Sequence, residues 1–243
     1  MNRIDSFSFA KDGMHGWIIE SRYRPLLANE VRGAPHSNYS SGGNHILSSF
    51  IKFTQDGGVS WKAQTIKPTW NSLDSITAID STHAIAYGIA GVYFLDGNQW
   101  KPAESVSDGE NSTSSCLDAA CGSGCRIPTT IQFVDSQTGW IANTNGYVGR
   151  SMDGGKTWSD ISRDLWQGYV DHMYGVQVQF VDHYSGWGIN GNGWLVTSQD
   201  GGTSWHIVND NRWYAGMFFL DSKHGWAVSN DGIFKIAEDH RPN

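Results

Sequence analysis

The sequence predicts an all-β chain folded as a single β-propeller of about five four-stranded antiparallel blades. Three observations carry this expectation. The stretch "IQFVDSQTGWIANTNGYVGRSMDGGKTW" (131–158) aligns without a gap on "VQFVDHYSGWGINGNGWLVTSQDGGTSW" (178–205). Trp158 and Trp205 stand 47 residues apart, the span of a four-stranded propeller blade. Apolar residues alternate within each copy and helical periodicity is absent, as expected of half-buried strands. With 29 Gly, 12 Trp, 9 Tyr and 10 Phe against only 17% charged residues, the composition suits many short strands joined by tight turns.

The elements follow from the third copy. Strand A is "TIQFVD", strand B is "GWIAN", a hairpin turns at Asn145-Gly146, strand C is "YVGRSM", and strand D is "TWSDI". Asn-Gly between alternating segments is a strong hairpin signal. A first copy opens at "SFAKDGMHGW" (8–17) and resumes at "SSFIKFTQDGGVSW" (48–61) after an insertion. The second, "ITAIDSTHAIAYGIAGVYFLDGNQW" (76–100), keeps the frame but has His83-Ala84 in place of Gly-Trp and a degraded turn. A fifth, "MFFLDSKHGWAVSNDGIFKIAEDH", begins at Met217 and breaks off after strand C. The blades are therefore expected at about 1–70, 71–102, 128–161, 175–208 and 214–243 of one domain, with insertions at 21–47 and 102–128. The fifth blade has no Trp-led strand D of its own. Residues 1–5 are expected either to pair against 233–237 or to leave that edge open.

"TQDGGVSW" (54–61), "SMDGGKTW" (151–158) and "SQDGGTSW" (198–205) share one turn chemistry. Asp56, Asp153 and Asp200 are expected to accept hydrogen bonds from amides of their own loops, while the paired glycines supply positive φ. Trp61, Trp158 and Trp205 then open strand D and cover apolar ground between neighbouring sheets. A motif repeated once per blade defines the blade, so these residues are read as structural. Asp135, Asp182 and Asp221 recur at another single blade position and are read the same way, and His15, His183 and His224 as exposed residues of the A-to-B turns.

A formal charge of −7 supplies no basic stripe for phosphate and argues against nucleic acid as a partner. No run of eighteen apolar residues is present, so membrane insertion is not expected. The amino-terminal "MNRIDSFSFAKDG" lacks the apolar region of a secretory signal, which leaves an internal protein, a mature segment or a fragment as alternatives.

The unit F-V-D-x-x-x-G-W-x-x-x-x-G … S-x-D-G-G-x-T-W resembles the BNR or Asp-box repeat in the form shared by photosystem II stability and assembly factor-like proteins. It covers nearly the whole chain in five copies, two of them strong, one intermediate, and two degraded or truncated. That resemblance implies a non-catalytic β-propeller that works through protein contacts, with no cofactor. Sialidases and xyloglucanase-type glycoside hydrolases share Asp boxes, so a carbohydrate-binding or hydrolysing propeller is the alternative. Arg126-Ile127-Pro128 mimics the sialidase Arg-Ile-Pro tripeptide, but it follows two blades rather than preceding the first. Glutamates are confined to Glu20, Glu30, Glu104, Glu110 and Glu238, and no unique pair of opposed carboxylates stands out for glycoside hydrolysis. No catalytic residue is assigned.

Function in a repeat protein gathers where the repeat is broken. The long insertions and the shorter ones at 162–175 and 208–216 are all B-to-C or D-to-A connections, which emerge at the sheet ends opposite the Asp boxes. They bring forward Arg22, Tyr23, Arg24, Arg32, Arg126, Arg163, Trp166, Tyr169, His172, Arg212, Trp213 and Tyr214 as the candidate binding surface, a mixture of arginine and aromatics typical of interface hot spots. A protein partner is expected, and carbohydrate is the alternative. Cys116, Cys121 and Cys125 form a C-x4-C-x3-C group that leaves at most one intrachain disulfide and a spare thiol. Zinc would lack a fourth nearby ligand, so no metal is assigned. A disulfide favours an oxidising, extracytoplasmic compartment, with the cytoplasm as the open alternative.

Overall fold

The computed structural model describes residues 2–25, 44–64, 73–88, 91–106, 128–143, 147–162, 177–208 and 212–236. These residues form five antiparallel sheets and no helix. Contacts divide the chain into two compact units, one built mainly on residues 1–105 and the other on residues 128–153 and 158–243.

The first unit holds two meander sheets. One is ordered β1 (Asn2–Phe9), β2 (Gly16–Pro25), β3 (Asn44–Thr54) and β4 (Lys62–Gln64). The other is ordered β5 (Ser75–Ala78), β6 (Ala84–Gly88), β7 (Gly91–Asp96) and β8 (Gln99–Pro102). Trp17, Ile19 and Ile51 of the first sheet pack with Ile76, Ala84, Ala86, Tyr93 and Trp100 of the second in one buried cluster. Ser6 and Ser8 accept hydrogen bonds from the backbone N–H groups of Ile76 and Ala78 at 3.1 and 3.0 Å, joining the two sheets at their first strands.

β9 (Glu104–Val106) lies at the edge of the third sheet, which runs β10 (Pro128–Phe133), β11 (Gly139–Asn143), β12 (Val148–Ser151) and β13 (Thr157–Asp160). The fourth is ordered β14 (Gln177–Phe180), β15 (Gly186–Ile189), β16 (Leu195–Ser198) and β17 (His206–Ile207). The fifth has three described strands, β18 (Tyr214–Phe219), β19 (Gly225–Ser229) and β20 (Gly232–Ile236).

In the second unit one interface is made twice. Trp140 stacks on Phe180 of the next sheet with ring centroids 3.9 Å apart, and Trp187 stacks on Phe219 at 4.2 Å. Gln179 forks onto the next strand A, accepting from Phe219 N and donating to Phe219 O, both at 2.8 Å. Gln132 makes the same fork with Phe180 N and O. In four of the sheets the Phe at the end of strand A lies over the glycine directly opposite it on strand B. The pairs are Phe9 with Gly16, Phe133 with Gly139, Phe180 with Gly186 and Phe219 with Gly225. A Cβ on any of these glycines would stand 2.2–2.7 Å from the ring. This close approach explains the Gly-Trp of the repeat. In the second sheet the matching pair is Ala78 and Ala84, so where the ring is lost the glycine is lost with it.

Two expectations are corrected. β2 and β3 stay paired as far as Pro25 and Asn44, so residues 21–25 and 44–47 belong to strands rather than to an insertion. Asn2, Arg3 and Ile4 pair with Arg22, Ser21 and Glu20, so the segment considered as a latch for 233–237 is part of the first sheet.

Candidate functional site

The two ends of each sheet differ chemically. At the end carrying A-to-B and C-to-D turns, the repeated aspartates are engaged with their own loops. In the turn 54–61, Asp56 accepts from Ser60 N at 2.9 Å, Ser60 Oγ at 2.6 Å and Thr54 Oγ1 at 2.7 Å. Asp200 accepts from Ser204 N at 2.9 Å, Ser204 Oγ at 2.6 Å and Ser198 Oγ at 2.8 Å, and Asp153 accepts from Ser151 Oγ at 2.9 Å. The glycine pairs Gly57-Gly58, Gly154-Gly155 and Gly201-Gly202 all have φ between 70° and 94°. Trp61 and Trp205 donate Nε1 to Gly58 O and Gly202 O, both at 3.0 Å, and the rings of Trp61, Trp158 and Trp205 meet Phe9, Phe133 and Phe180 edge-on. The Ser60 hydroxyl, the Ser60 amide and the Thr54 hydroxyl pull the Asp56 pKa down to about 2.

Every A-to-B turn repeats one pattern: Asp12, Asp80, Asp135, Asp182 and Asp221 each accept from the backbone N–H groups two and three residues on. Asp135 is held below the ordinary carboxylate range chiefly by the Thr138 and Gln137 amides. In Asp182, burial pushes the pKa up but is outweighed by the Ser185 and Tyr184 amides. His15, His83 and His224 contact the aspartate of their own turn, whereas His183 reaches across to Asp135 at 2.5 Å. Among the described residues, no group of three or more His, Cys, Asp or Glu is placed to hold a metal ion.

The opposite end is where the broken repeats emerge, and its described residues sort into two kinds. Arg22 is exposed, and Arg24 lies in β2. Tyr23 and Tyr214, read from the sequence as surface residues, are buried, with 7% and 1% of their surface exposed. Tyr23 donates to Asp5 Oδ1 and accepts from Arg3 Nη2, both at 2.8 Å, with the Arg3 guanidinium 4.5 Å from the ring centroid. Burial, and then the bond to Asp5, raise its pKa. Both tyrosines therefore belong to the cores. Arg32, Arg126, Arg163, Trp166, Tyr169, His172, Cys116, Cys121 and Cys125 lie outside the described residues.

What remains is a compact group on the fourth and fifth sheets. The β15–β16 connection is a tight turn in which Asn190 Oδ1 accepts from Asn192 N and Trp194 N, both at 3.0 Å, and Gly193 adopts a φ of +75°. Gly193 O accepts from Tyr214 N at 2.7 Å, and the indole of Trp213 packs against Gly193, where a Cβ would come within 2.1 Å of it. Trp194 and Trp213 keep 39% and 40% of their surface exposed. Beside them Arg212 covers the ring of Phe234 at 4.3 Å. Sequence reasoning missed Trp194, reading its position, like that of Tyr147 one repeat earlier, as the start of strand C. The usable signal was the Asn-x-Asn-Gly-aromatic run itself.

No family model matches the chain, and no curated protein matches it. Among solved structures it is similar to the WD40 propeller domain of Doa1, at a TM-score of 0.53 and 12% identity over 97% of this chain and 65% of that one. It is also similar to a GH74 enzyme from Niastella koreensis, at 0.52 and 14% over 93% and 33%. The fold is a β-propeller. YCF48 from Cyanidioschyzon merolae also aligns, at a TM-score of 0.49 and 21% identity over 98% of this chain and 83% of that one.

Proposed function

We propose that this propeller is a non-catalytic interaction module, of the assembly-factor-like kind its sequence resembles, and that it holds a protein partner at the end of the sheets where B-to-C and D-to-A connections emerge. The observation that carries the proposal is the pair of half-exposed indoles, Trp194 and Trp213, fixed on the Gly193 turn beside Arg212. Tryptophan and arginine dominate binding energy when they are held rigidly, because little conformational freedom is lost when a partner seats on them. The turn aspartates support the non-catalytic half of the proposal: their oxygens satisfy backbone amides and hydroxyls, and so are committed to local structure. An extracytoplasmic location belongs to the same proposal, and cell fractionation tests it.

Affinity capture from native lysate tests the surface. The wild-type chain should retain a protein that a Trp194→Ala/Trp213→Ala bait loses, while an Asp200→Ala bait keeps it. Retention by all three baits would remove the indoles from the interface. Fluorogenic sialosides and β-glucans should be cleaved no faster than in buffer, and turnover abolished by Arg126→Ala would make the chain a hydrolase.

A further inference from the structure

The turn that carries the two indoles is built on a chemically labile pair. Asn192-Gly193 is the one Asn-Gly step among the described residues. An asparagine followed by glycine is open to attack on its own side chain, because glycine has no Cβ to hinder the approach of its amide nitrogen to the asparagine Cγ. The nitrogen bonds to Cγ, its proton leaves with Nδ2 as ammonia, and a five-membered succinimide results. Water then opens the ring at either carbonyl, giving an aspartyl residue or an isoaspartyl residue whose main chain runs through Cβ.

Two groups decide where this chemistry can run. The first is the nucleophile. Gly193 N donates to Asn190 O at 2.8 Å, and Asn190 Oδ1 holds Asn192 N and Trp194 N, both at 3.0 Å, so the closed turn engages the attacking nitrogen elsewhere. The Asp-Gly steps of two box turns are tied in the same way, Gly57 N to Met14 O and Gly201 N to Tyr184 O, both at 2.9 Å. The second is the electrophile. Asp56 and Asp200 present carboxylates held ionised by the donors of their own turns, and an ionised carboxylate resists a nucleophile. Asn192 presents a neutral, partly exposed carboxamide that makes no hydrogen bond among the described residues. One safeguard covers Asn192 where two cover the box aspartates.

We propose that Asn192 is a spontaneous deamidation site, gated by opening of the Asn190 turn, and that its conversion disables the Trp194–Trp213 surface. The isoaspartyl product adds a main-chain carbon just before Gly193, whose carbonyl receives Tyr214 N at 2.7 Å and whose lack of a Cβ admits the Trp213 indole. Either product also places a negative charge beside both rings. The consequence for the surface rests on the docking role proposed above, whereas the chemistry at Asn192 does not.

Peptide mapping of the full chain aged in mildly alkaline buffer, with isoaspartate read by methyl transfer from a protein isoaspartyl methyltransferase, tests it. Conversion at Asn192 should be at least about tenfold slower in the folded chain than in the same chain in denaturing urea, the factor set by an opening cost of roughly 1.4 kcal/mol. It should precede any isoaspartate at Asp56 or Asp200. Asn190→Ala should raise the rate toward the denatured value. If that variant proves unstable, wild type in sub-denaturing urea reads the same gate, and conversion at Asn192 should accelerate together with exchange of the Gly193 amide. Equal rates in folded and denatured wild type overturn the gate, and isoaspartate at Asp56 or Asp200 ahead of Asn192 overturns the site. The surface is read separately, by capture of the partner that wild type retains and the Trp194→Ala/Trp213→Ala bait loses. The modified chain should lose it too. Retention by the modified chain overturns the disabling of the surface and leaves the docking role intact.

Discussion

Asp56, Asp200 and the five A-to-B turn aspartates spend their charge on loop amides and hydroxyls a few residues away, and this gives the fold a defined acid limit. Asp56 has a folded pKa of about 2 against an ordinary 3.8. A depressed carboxylate contributes stability that is fully present above its unfolded pKa and is lost as pH falls through the folded one. Asp12, Asp80, Asp135, Asp182, Asp200 and Asp221 are shifted in the same direction. The melting temperature should therefore hold down to about pH 4 and fall steeply toward pH 2. Asp56→Asn should lower it at pH 7, by less at pH 3, and the gap should close only as pH falls through about 2. A gap that stays constant between the two pH values would show that the Asp56 charge contributes nothing. Asp200→Ala removes the acceptor of Ser204 N, Ser204 Oγ and Ser198 Oγ together. It should cost about 1–2 kcal/mol in urea denaturation, and partner binding by the folded fraction should be unchanged.

Within a sheet, the element that sets spacing is the Phe ring lying on the opposite glycine. The Gly-Trp pair was legible in the sequence as a repeated motif, but its cause was not, because the ring that requires the glycine sits on the preceding strand. The co-ordinated change to Ala78 and Ala84 in the second sheet becomes intelligible only once the register is known. Gly186→Ala would place a Cβ 2.4 Å from Phe180. Neither the paired strand nor a ring stacked on Trp140 at 3.9 Å yields easily, so the substitution should cost about 1–3 kcal/mol. Phe180→Ala alone should cost about 3–5 kcal/mol. Together they recreate the Ala78–Ala84 arrangement, and the double variant should lose less than the sum of the two, as expected of residues in contact. Strict additivity in a double-mutant cycle would mean that the ring and the glycine do not constrain each other. Tyr23 marks the opposite failure of legibility. It reads as a loop aromatic because nothing near it in sequence announces Arg3 and Asp5, which bury its hydroxyl from twenty and eighteen residues away.

Across the molecule, the number of sheets was legible because each repeat writes its own turns, whereas the way sheets join was not. Joining depends on single side chains that read as ordinary surface residues: Gln132 and Gln179 in one unit, Ser6 and Ser8 in the other. Trp140 donates Nε1 to Gly201 O in the Asp-Gly-Gly turn of the next sheet at 2.9 Å. Trp17 faces a sheet whose C-to-D connection is only the two-residue turn at Gly97, and its buried Nε1 finds no acceptor among the described residues. The same dependence on partners distant in sequence governs the amino-terminal segment. Asn2, Arg3 and Ile4 are paired with β2, while Arg3 and Asp5 together hold the Tyr23 hydroxyl. Deleting residues 1–5 removes that part of the register and both partners of a buried phenol. Amide exchange should accelerate in 16–25, where β2 loses its neighbour, and stay at wild-type rates in 217–236. Acceleration confined to 217–236 would instead assign the segment to the β18–β20 sheet and withdraw it from the first.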